Sequence, residues 1–115
     1  MRHLLIAAAL FAIAVTPLTA NSQSAYPTKN IRFIVPVVTG GPSDLVARLL
    51  GDKLSVSLGK PVIVDNRPGA SQIVGANLVA KAAPDGYTLL QAAANMAINP
   101  IMVADMPFDS VKDFA

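Results

Sequence analysis

Residues 31–50, IRFIVPVVTGGPSDLVARLL, are the segment around which the rest of the chain is arranged. Its first five residues are β-branched, aromatic or positively charged, and Pro36 ends the run. A β-branched and aromatic run of this length, stopped by proline, predicts a short buried strand from Ile31 to Val35.

A tight turn and a helix are predicted directly after this strand. Gly40 and Gly41 permit a tight turn and a close approach of the backbone to a ligand, because glycine has no Cβ. Pro42 suits the first helical position, where its missing N–H is not needed, and Asp44 places negative charge in the first turn. A helix N-terminus following a strand in this way attracts anions.

The spacing of apolar residues predicts which face of this helix packs against the sheet. Val46, Leu49, Leu50 and Leu54 recur at helical spacing and form the predicted buried face. Gly51 lies inside the helix, where it costs about 1 kcal/mol relative to alanine, so we expect a close packing contact there.

The rest of the chain predicts two more strands and further helix. Gly59 can take the left-handed conformation and is expected to end the first helix. The later predicted elements are a strand at 62–64, a turn at 65–69, a helix from 71 or 72 to 82, a strand at 87–91, an irregular segment at 95–107 and a helix start at Asp109.

This order of elements predicts an α/β fold, a parallel sheet with flanking helices. In such sheets ligands bind beyond the carboxyl ends of the strands. Three predicted loops emerge at that end, at 36–43, 66–71 and 92–99.

The N-terminus has the layout of a secretory signal peptide. A basic start, Met1 to His3, precedes an apolar run from Leu4 to Val15 and a small, polar segment from Thr16 to Ala25. We expect a signal peptide over residues 1–20, with cleavage after residue 20 to 25, and export to the periplasm. An uncleaved membrane anchor is the alternative, but the apolar run is shorter than the about 20 residues needed to span a bilayer.

Composition excludes most catalytic and metal-binding chemistry. The chain has 115 residues, a net charge of +2, no Cys and a single His. That histidine lies in the predicted signal peptide, and the chain contains no Glu. Thiol and imidazole nucleophiles and zinc sites are therefore excluded from the mature part. We expect no catalytic residue, metal or cofactor, and the scattered basic residues predict no nucleic-acid partner.

Two helix N-termini are expected to converge on one anion. Their N–H groups, together with the hydroxyls of Thr39 and Ser71, could bind a carboxylate. The alternative is that the glycines of these loops serve only to make the turns. Arg67 could pair with the ligand or with local groups. Neither GxGxxG nor GxxxxGK[ST] occurs, so nucleotide binding is disfavoured.

Several longer segments resemble one known family. YPTKNIRFIVPVVTGGPSDLVARLLGDKLSVSLGKPVIVDNRPGA, GANLVAKAAPDGYTLL, AINP and VKDFA, within residues 26–115, are similar to the N-terminal part of the Bug/TctC receptors. These are the extracytoplasmic solute-binding proteins of tripartite tricarboxylate transporters.

The resemblance implies a type II periplasmic-binding-protein fold and a small organic carboxylate as ligand. Residues 26–115 would be the N-terminal part of its first domain, truncated before the second. Membrane subunits of the transporter would be the partners of a monomeric receptor. By position, the ligand-binding residues would be Val37, Val38, Thr39, Gly40, Gly41, Gly69, Ala70, Ser71, Ala94 and Asn95.

This chain differs from the family pattern in each of the three loops. Val37 and Val38 stand where an aromatic residue and often a proline are usual. Ser71 and Gln72 stand where a further glycine is common, and AAANMA replaces a loop that often carries hydroxyls and a histidine. These differences imply a less polar pocket at the third loop.

Two other functions remain open, a ligand sensor feeding a membrane kinase and a nonfunctional remnant of a truncated gene. A secreted α/β enzyme fragment that depends on Asp44 is disfavoured, because the mature part lacks His, Cys and Glu.

Overall fold

Strand β1, Ile31–Val35, is the centre of the fold, at the residues predicted for it. The structure, a computed structural model, describes residues 25–114, and the predicted signal peptide at 1–20 lies outside the described residues. The other elements are α1 Pro42–Leu58, β2 Val62–Asn66, a 3-10 turn Ala70–Gln72, α2 Ile73–Ala80, β3 Thr88–Leu90 and α3 Asn95–Met102.

The three strands form a parallel sheet in the order β2-β1-β3. In the register of β1 with β2, Ile31 is opposite Val62 and Val35 is opposite Asn66. Helix α1 packs against β1 and β2, whereas α2 packs against β1 and β3. The predicted α/β fold with a parallel sheet and flanking helices is confirmed.

The core lies between α1 and the sheet. Ile31, Phe33 and Val35 point to this side of β1 and are buried with Ala47 and Val62. Ile34 points to the other face of β1, as strand alternation requires, and is fully buried as well.

The predicted face of α1 is wrong. Its buried residues are Asp44, Ala47 and Gly51, with Leu54 half-buried beside them. The other three residues of the predicted face, Val46, Leu49 and Leu50, are about half exposed within residues 25–114. Small residues face the strands because α1 lies close to the sheet, and leucine spacing alone did not indicate this.

Helix α1 packs against β2 at Gly51, but the contact is an ordinary one that leaves room for a Cβ. Gly51 is buried, and a Cβ built on it would lie 3.4 Å from the carbonyl oxygen of Val62 and 3.5 Å from Val64 Cγ2. The predicted ends of α1 are correct, with Pro42 at its start and Gly59 at φ 66° after its last residue.

Several predicted boundaries are wrong, including those of β3, which is Thr88–Leu90, and the end of α2, which is Ala80. Asp65 and Asn66 belong to β2 and not to a turn, because they pair in register with β1. Helix α2 begins at Ile73, after the 3-10 turn. The segment predicted to be irregular begins with the helix Asn95–Met102, in which Pro100 is tolerated.

Long-range hydrogen bonds tie the N-terminal end of the described chain to the fold, whereas the hydrogen bonds of Asp109 near the other end are local. The Tyr26 hydroxyl donates to the carbonyl of Gly86 over 2.6 Å, and the Thr28 N–H donates to the Tyr87 hydroxyl over 2.8 Å. Near the other end, Asp109 Oδ1 accepts the N–H groups of two following residues, as an N-cap would, but only a turn forms there. No helix within residues 25–114 is long and apolar enough to cross a membrane.

Candidate functional site

Three loops meet at the carboxyl ends of the parallel strands. Residues 36–41 follow β1, residues 67–72 follow β2 and residues 91–94 follow β3. Because all three strands run in the same direction, these loops leave the sheet at one edge. The ten predicted ligand residues all lie in these loops or at the first position of α3.

The first loop is braced by Asp44, which is buried at 3% exposure. Its Oδ2 accepts the backbone N–H of Gly40 over 2.9 Å and Arg48 Nε over 3.0 Å. Its Oδ1 accepts Asn66 Nδ2 over 2.9 Å, and the same Nδ2 donates to the carbonyl of Val37 over 3.1 Å. Asp44 therefore joins both ends of the first loop to the end of β2.

These contacts keep Asp44 ionised. The hydrogen bonds from Arg48, Gly40 and Asn66 lower the pKa of Asp44 to about 2, although burial acts in the opposite direction. With a pKa of about 2, this carboxyl group is a poor proton acceptor at neutral pH. Its geometry fits a structural brace of the loop.

The second loop has an unusual backbone. Ala70, Ser71 and Gln72 have φ of 44°, 51° and 74°, and Gly69, which precedes them, has φ of 131°. Positive φ is uncommon for residues with a Cβ, and three in succession must be held by their surroundings. Gly69, Ala70 and Ser71 are three of the ten predicted ligand residues.

Side chains of helix α3 hold this turn in place. Asn99, buried at 6% exposure, donates from Nδ2 to the carbonyl of Ser71 over 2.9 Å. Asn95, one turn earlier, donates to the same oxygen over 3.3 Å. The predicted ligand residue Asn95 thus contacts the second loop through one N–H of its side-chain amide, which carries a second N–H as well.

Amide side chains donate hydrogen bonds to several backbone carbonyl oxygens at this edge. Asn66 bonds the carbonyl of Val37, and Gln91 Nε2 donates to the carbonyl of Ser43 over 3.1 Å. With the two bonds to the Ser71 carbonyl, amide side chains thus hold carbonyl oxygens of the first loop, the second loop and α1. N–H groups that remain free beside them would favour an anion.

The start of α1 offers such N–H groups. Within residues 25–114, the N–H groups of Gly41 and Ser43 have no hydrogen-bond acceptor, and no side chain caps the helix. The N–H of Gly40 differs, because it already bonds Asp44. The expectation of free N–H groups at the first corner therefore applies to Gly41 and not to Gly40.

The predicted ligand residues form an open wall. Val38 is 67% exposed, and the segments 38–40, 69–71 and 92–94 are all exposed. A hollow of about 580 Å³ lies instead beside β3, lined by residues such as Val79, Leu89 and Phe114, and none of the ten predicted residues lines it. Within residues 25–114 no cluster of His, Cys, Asp or Glu could hold a metal ion.

Arg67 is paired within the protein. Its Nε and Nη2 donate to Asp65 over 2.9 and 3.3 Å, and Arg32 binds the same carboxylate from β1 over 2.7 Å. Burial raises the pKa of Asp65, but the two arginines outweigh it, so the pKa is lowered. Of the two roles predicted for Arg67, the structure has the local one, an ion pair with Asp65.

We expect Arg67→Ala to change ligand binding little. Arg32 still pairs with Asp65 in this variant, and a half-exposed ion pair contributes about 0–1 kcal/mol to stability. In an NMR titration with a small carboxylate, the ligand concentration that gives half of the amide shift at the loops should change by at most about twofold. This is a change in binding free energy of only about 0.4 kcal/mol. A tenfold weakening would assign Arg67 to the ligand instead.

Sequence reasoning missed the residues that hold the loops. Asn66, Gln91 and Asn99 were placed in a turn, a strand and an irregular segment without a role. The one signal available was the spacing of Asn95 and Asn99, four residues apart and hence on one face if the segment is helical. Pro100 directed the prediction away from a helix.

Comparison with known proteins places this geometry in a family. The profile of the tripartite tricarboxylate transporter family receptor, TctC, matches residues 46–115. A UPF0065 protein of Bordetella bronchiseptica is 43% identical over 113 residues, which are 97% of this chain and 33% of that protein. The chain thus spans about a third of the length of the curated relatives it matches.

Solved structures agree. The periplasmic binding protein BugD is 40% identical, with a TM-score of 0.63 over 65% of this chain and 25% of BugD. MatC from Rhodopseudomonas palustris, solved with bound malate, is 34% identical, with a TM-score of 0.65 over 76% of this chain and 30% of MatC. BugD is a periplasmic binding protein, and the matched family is one of transporter receptors, so the similarity is to binding proteins. The chain belongs to the TctC family of tripartite tricarboxylate transporter receptors, also known as Bug proteins.

Proposed function

We propose that residues 26–115 form one wall of a cleft that captures a small organic carboxylate in the periplasm. The ligand would be passed to the membrane subunits of a tripartite transporter, with no catalysis. The predicted signal peptide at 1–20 would direct export, and a second domain would supply the opposite wall.

The observation that carries this proposal is the pair of free N–H groups at the start of α1. Those of Gly41 and Ser43 have no acceptor within residues 25–114, and no side chain caps the helix. Amide side chains hold the neighbouring loops through the carbonyls of Val37, Ser43 and Ser71. Free N–H groups at a helix N-terminus favour a negatively charged ligand.

The ligand contacts are proposed on all three loops. Gly41 N–H and the Thr39 hydroxyl would bind from the first loop, and Ser71 would bind from the second. The remaining contacts are assigned to Val37, Val38, Gly40, Gly69, Ala70, Ala94 and Asn95. Support for a dicarboxylate comes from MatC, which was solved with malate.

Titration of the ¹⁵N-labelled chain with malate tests the proposal by NMR. We expect saturable shifts of the amide signals of residues 39–41 and 69–71, because these N–H groups gain a charged acceptor. The uncharged diamide of malic acid is the matched control and should leave these signals in place. Equal responses to the two compounds, or shifts spread over the whole chain, would refute a carboxylate site at these loops.

A further inference from the structure

The turn Ala70–Gln72 is held in a conformation that its residues do not favour by themselves. All three residues have a Cβ and a φ between 44° and 74°. At such angles the Cβ approaches the neighbouring carbonyl oxygen, which is why glycine is the usual residue there. A run of this kind persists only where contacts outside the turn determine it.

Two amide side chains provide those contacts. Asn99 Nδ2 lies 2.9 Å from the carbonyl oxygen of Ser71, and Asn95 Nδ2 lies 3.3 Å from it. Both residues lie on one face of α3, one helical turn apart. Since Ser71 is the middle residue of the turn, fixing its carbonyl fixes the peptide plane that joins it to Gln72.

Burial makes the contact of Asn99 with Ser71 stronger than that of Asn95. Asn99 is 6% exposed, so its amide would lack a partner if Ser71 moved, whereas Asn95 is half-buried. An unpaired buried amide is costly, and this cost opposes any change in the turn. The short helix after β3 thereby controls the shape of the loop after β2.

We propose that Asn95 and Asn99 form an amide clamp that keeps Ala70–Gln72 at positive φ and so sets the affinity of the second loop for its ligand. The affinity part rests on the proposed function, but the conformational part does not. In this arrangement Asn99 is a positioning residue, because it acts on the ligand through Ser71.

Asn99→Leu tests the clamp, since leucine has a similar volume and no donor. Without ligand, the backbone ¹³C and ¹⁵N shifts of residues 70–72 should lose the signature of positive φ. The dissociation constant for malate should rise about tenfold, the effect of losing one buried hydrogen bond. Asn95→Ala should act in the same direction by only about threefold, because its bond is longer and less buried.

A second substitution separates positioning from packing. In the Asn99→Leu background, Gln72→Gly should restore the positive-φ signals and return the dissociation constant to within about threefold of the original value, because glycine adopts this conformation without a Cβ clash. A loss caused by poor packing of α3 would not be relieved by glycine at position 72. Asn95→Ala with and without Gln72→Gly gives the same comparison if circular dichroism shows that Asn99→Leu does not fold.

Two results would overturn the clamp: positive-φ signals that survive Asn99→Leu, or a loss that Gln72→Gly fails to relieve. The two proposals can also fail separately. If neither malate nor adipate, the acid bound in another structural relative, shifts the loop signals of the unsubstituted chain, the carboxylate site proposed on this wall is wrong, while the shifts of residues 70–72 still decide whether the clamp exists.

Discussion

Gly75→Ala is expected to destabilise the protein by about 1–3 kcal/mol, the usual cost of forcing a methyl group into a filled space. A Cβ at this position would lie 2.8 Å from Pro36 Cβ and 3.0 Å from the carbonyl oxygen of Arg67. Pro36 begins the first loop, and Arg67 begins the second. Neither contact is the end of a flexible side chain, so α2 would have to move away from the roots of both loops.

Gly51→Ala is the matched control for this substitution. Both glycines are buried in helices, but a Cβ on Gly51 would make only ordinary contacts, at 3.4 Å or more. Alanine also favours helix, so this variant should be unchanged or up to about 1 kcal/mol more stable. Urea unfolding followed by circular dichroism gives both values. Equal stability of the two variants would show that α2 is free to shift at no cost.

Binding should separate the two glycine variants as well. Because Gly75 lies against the bases of two proposed binding loops, Gly75→Ala should weaken the response to malate at residues 39–41 and 69–71 together. Gly51 lies under β2, away from these loops, so Gly51→Ala should leave the response intact.

Asp44→Asn should disorder the first loop at neutral pH. The carboxylate accepts hydrogen bonds from Gly40, Arg48 and Asn66, and all three partners are donors. In either orientation, an asparagine amide directs its own donor at one or more of them, and unlike Asp44 it cannot satisfy the guanidinium charge of Arg48. We expect a lower thermal midpoint and a malate dissociation constant raised about tenfold or more, as when a charged hydrogen bond is lost.

The pH dependence of stability tests whether the ionised carboxylate of Asp44 causes the effect of Asp44→Asn. Its pKa is about 2 in the folded protein, below the ordinary value of 3.8, so protons bind the unfolded chain first as pH falls. The stability that Asp44 contributes is complete above pH 3.8 and is lost between that value and about pH 2. The difference in stability between the unsubstituted protein and Asp44→Asn should therefore shrink over this interval.

Asp52→Asn provides the control, because Asp52 is exposed on the same helix. Its unfolding profile should follow that of the unsubstituted protein at each pH. A difference for Asp44→Asn that stays constant down to pH 2 would mean that the ionised carboxylate is not the stabilising group.

The parts of the fold predicted correctly are those set by local chemistry. The run Ile31–Val35 formed a strand because its side chains suit one, and α1 begins at Pro42 and ends before Gly59 because those residues suit helix termini. These preferences act within a few residues and need no knowledge of the partner elements.

The errors arose where a distant contact decides the outcome. Asp65 extends β2 because Arg32 binds it across the sheet, although its polarity is typical of a turn. Helix α3 forms despite Pro100, which removes a bond to an earlier carbonyl but leaves the Val103 N–H bonded to the Asn99 carbonyl.

For the candidate site, the location could be predicted from the sequence, but the side chains that hold the loops could not. Its location at the carboxyl ends of the strands follows from a parallel sheet, and the glycines at 40, 41 and 69 marked the corners. The amide network could not be predicted, because Asn66, Gln91 and Asn99 are far from their partners in the sequence. Only the folded chain brings them to the carbonyls of Val37, Ser43 and Ser71.

The bonds from amide side chains to carbonyls bear on how salt and pH affect the loop edge. Amide groups carry no net charge and do not titrate, so added electrolyte should neither screen nor reverse their bonds. Mild acidification should leave them equally intact. The contacts made by these amides would thus persist at high ionic strength and in mild acid, where protonation of the solute would become the step of capture most sensitive to pH.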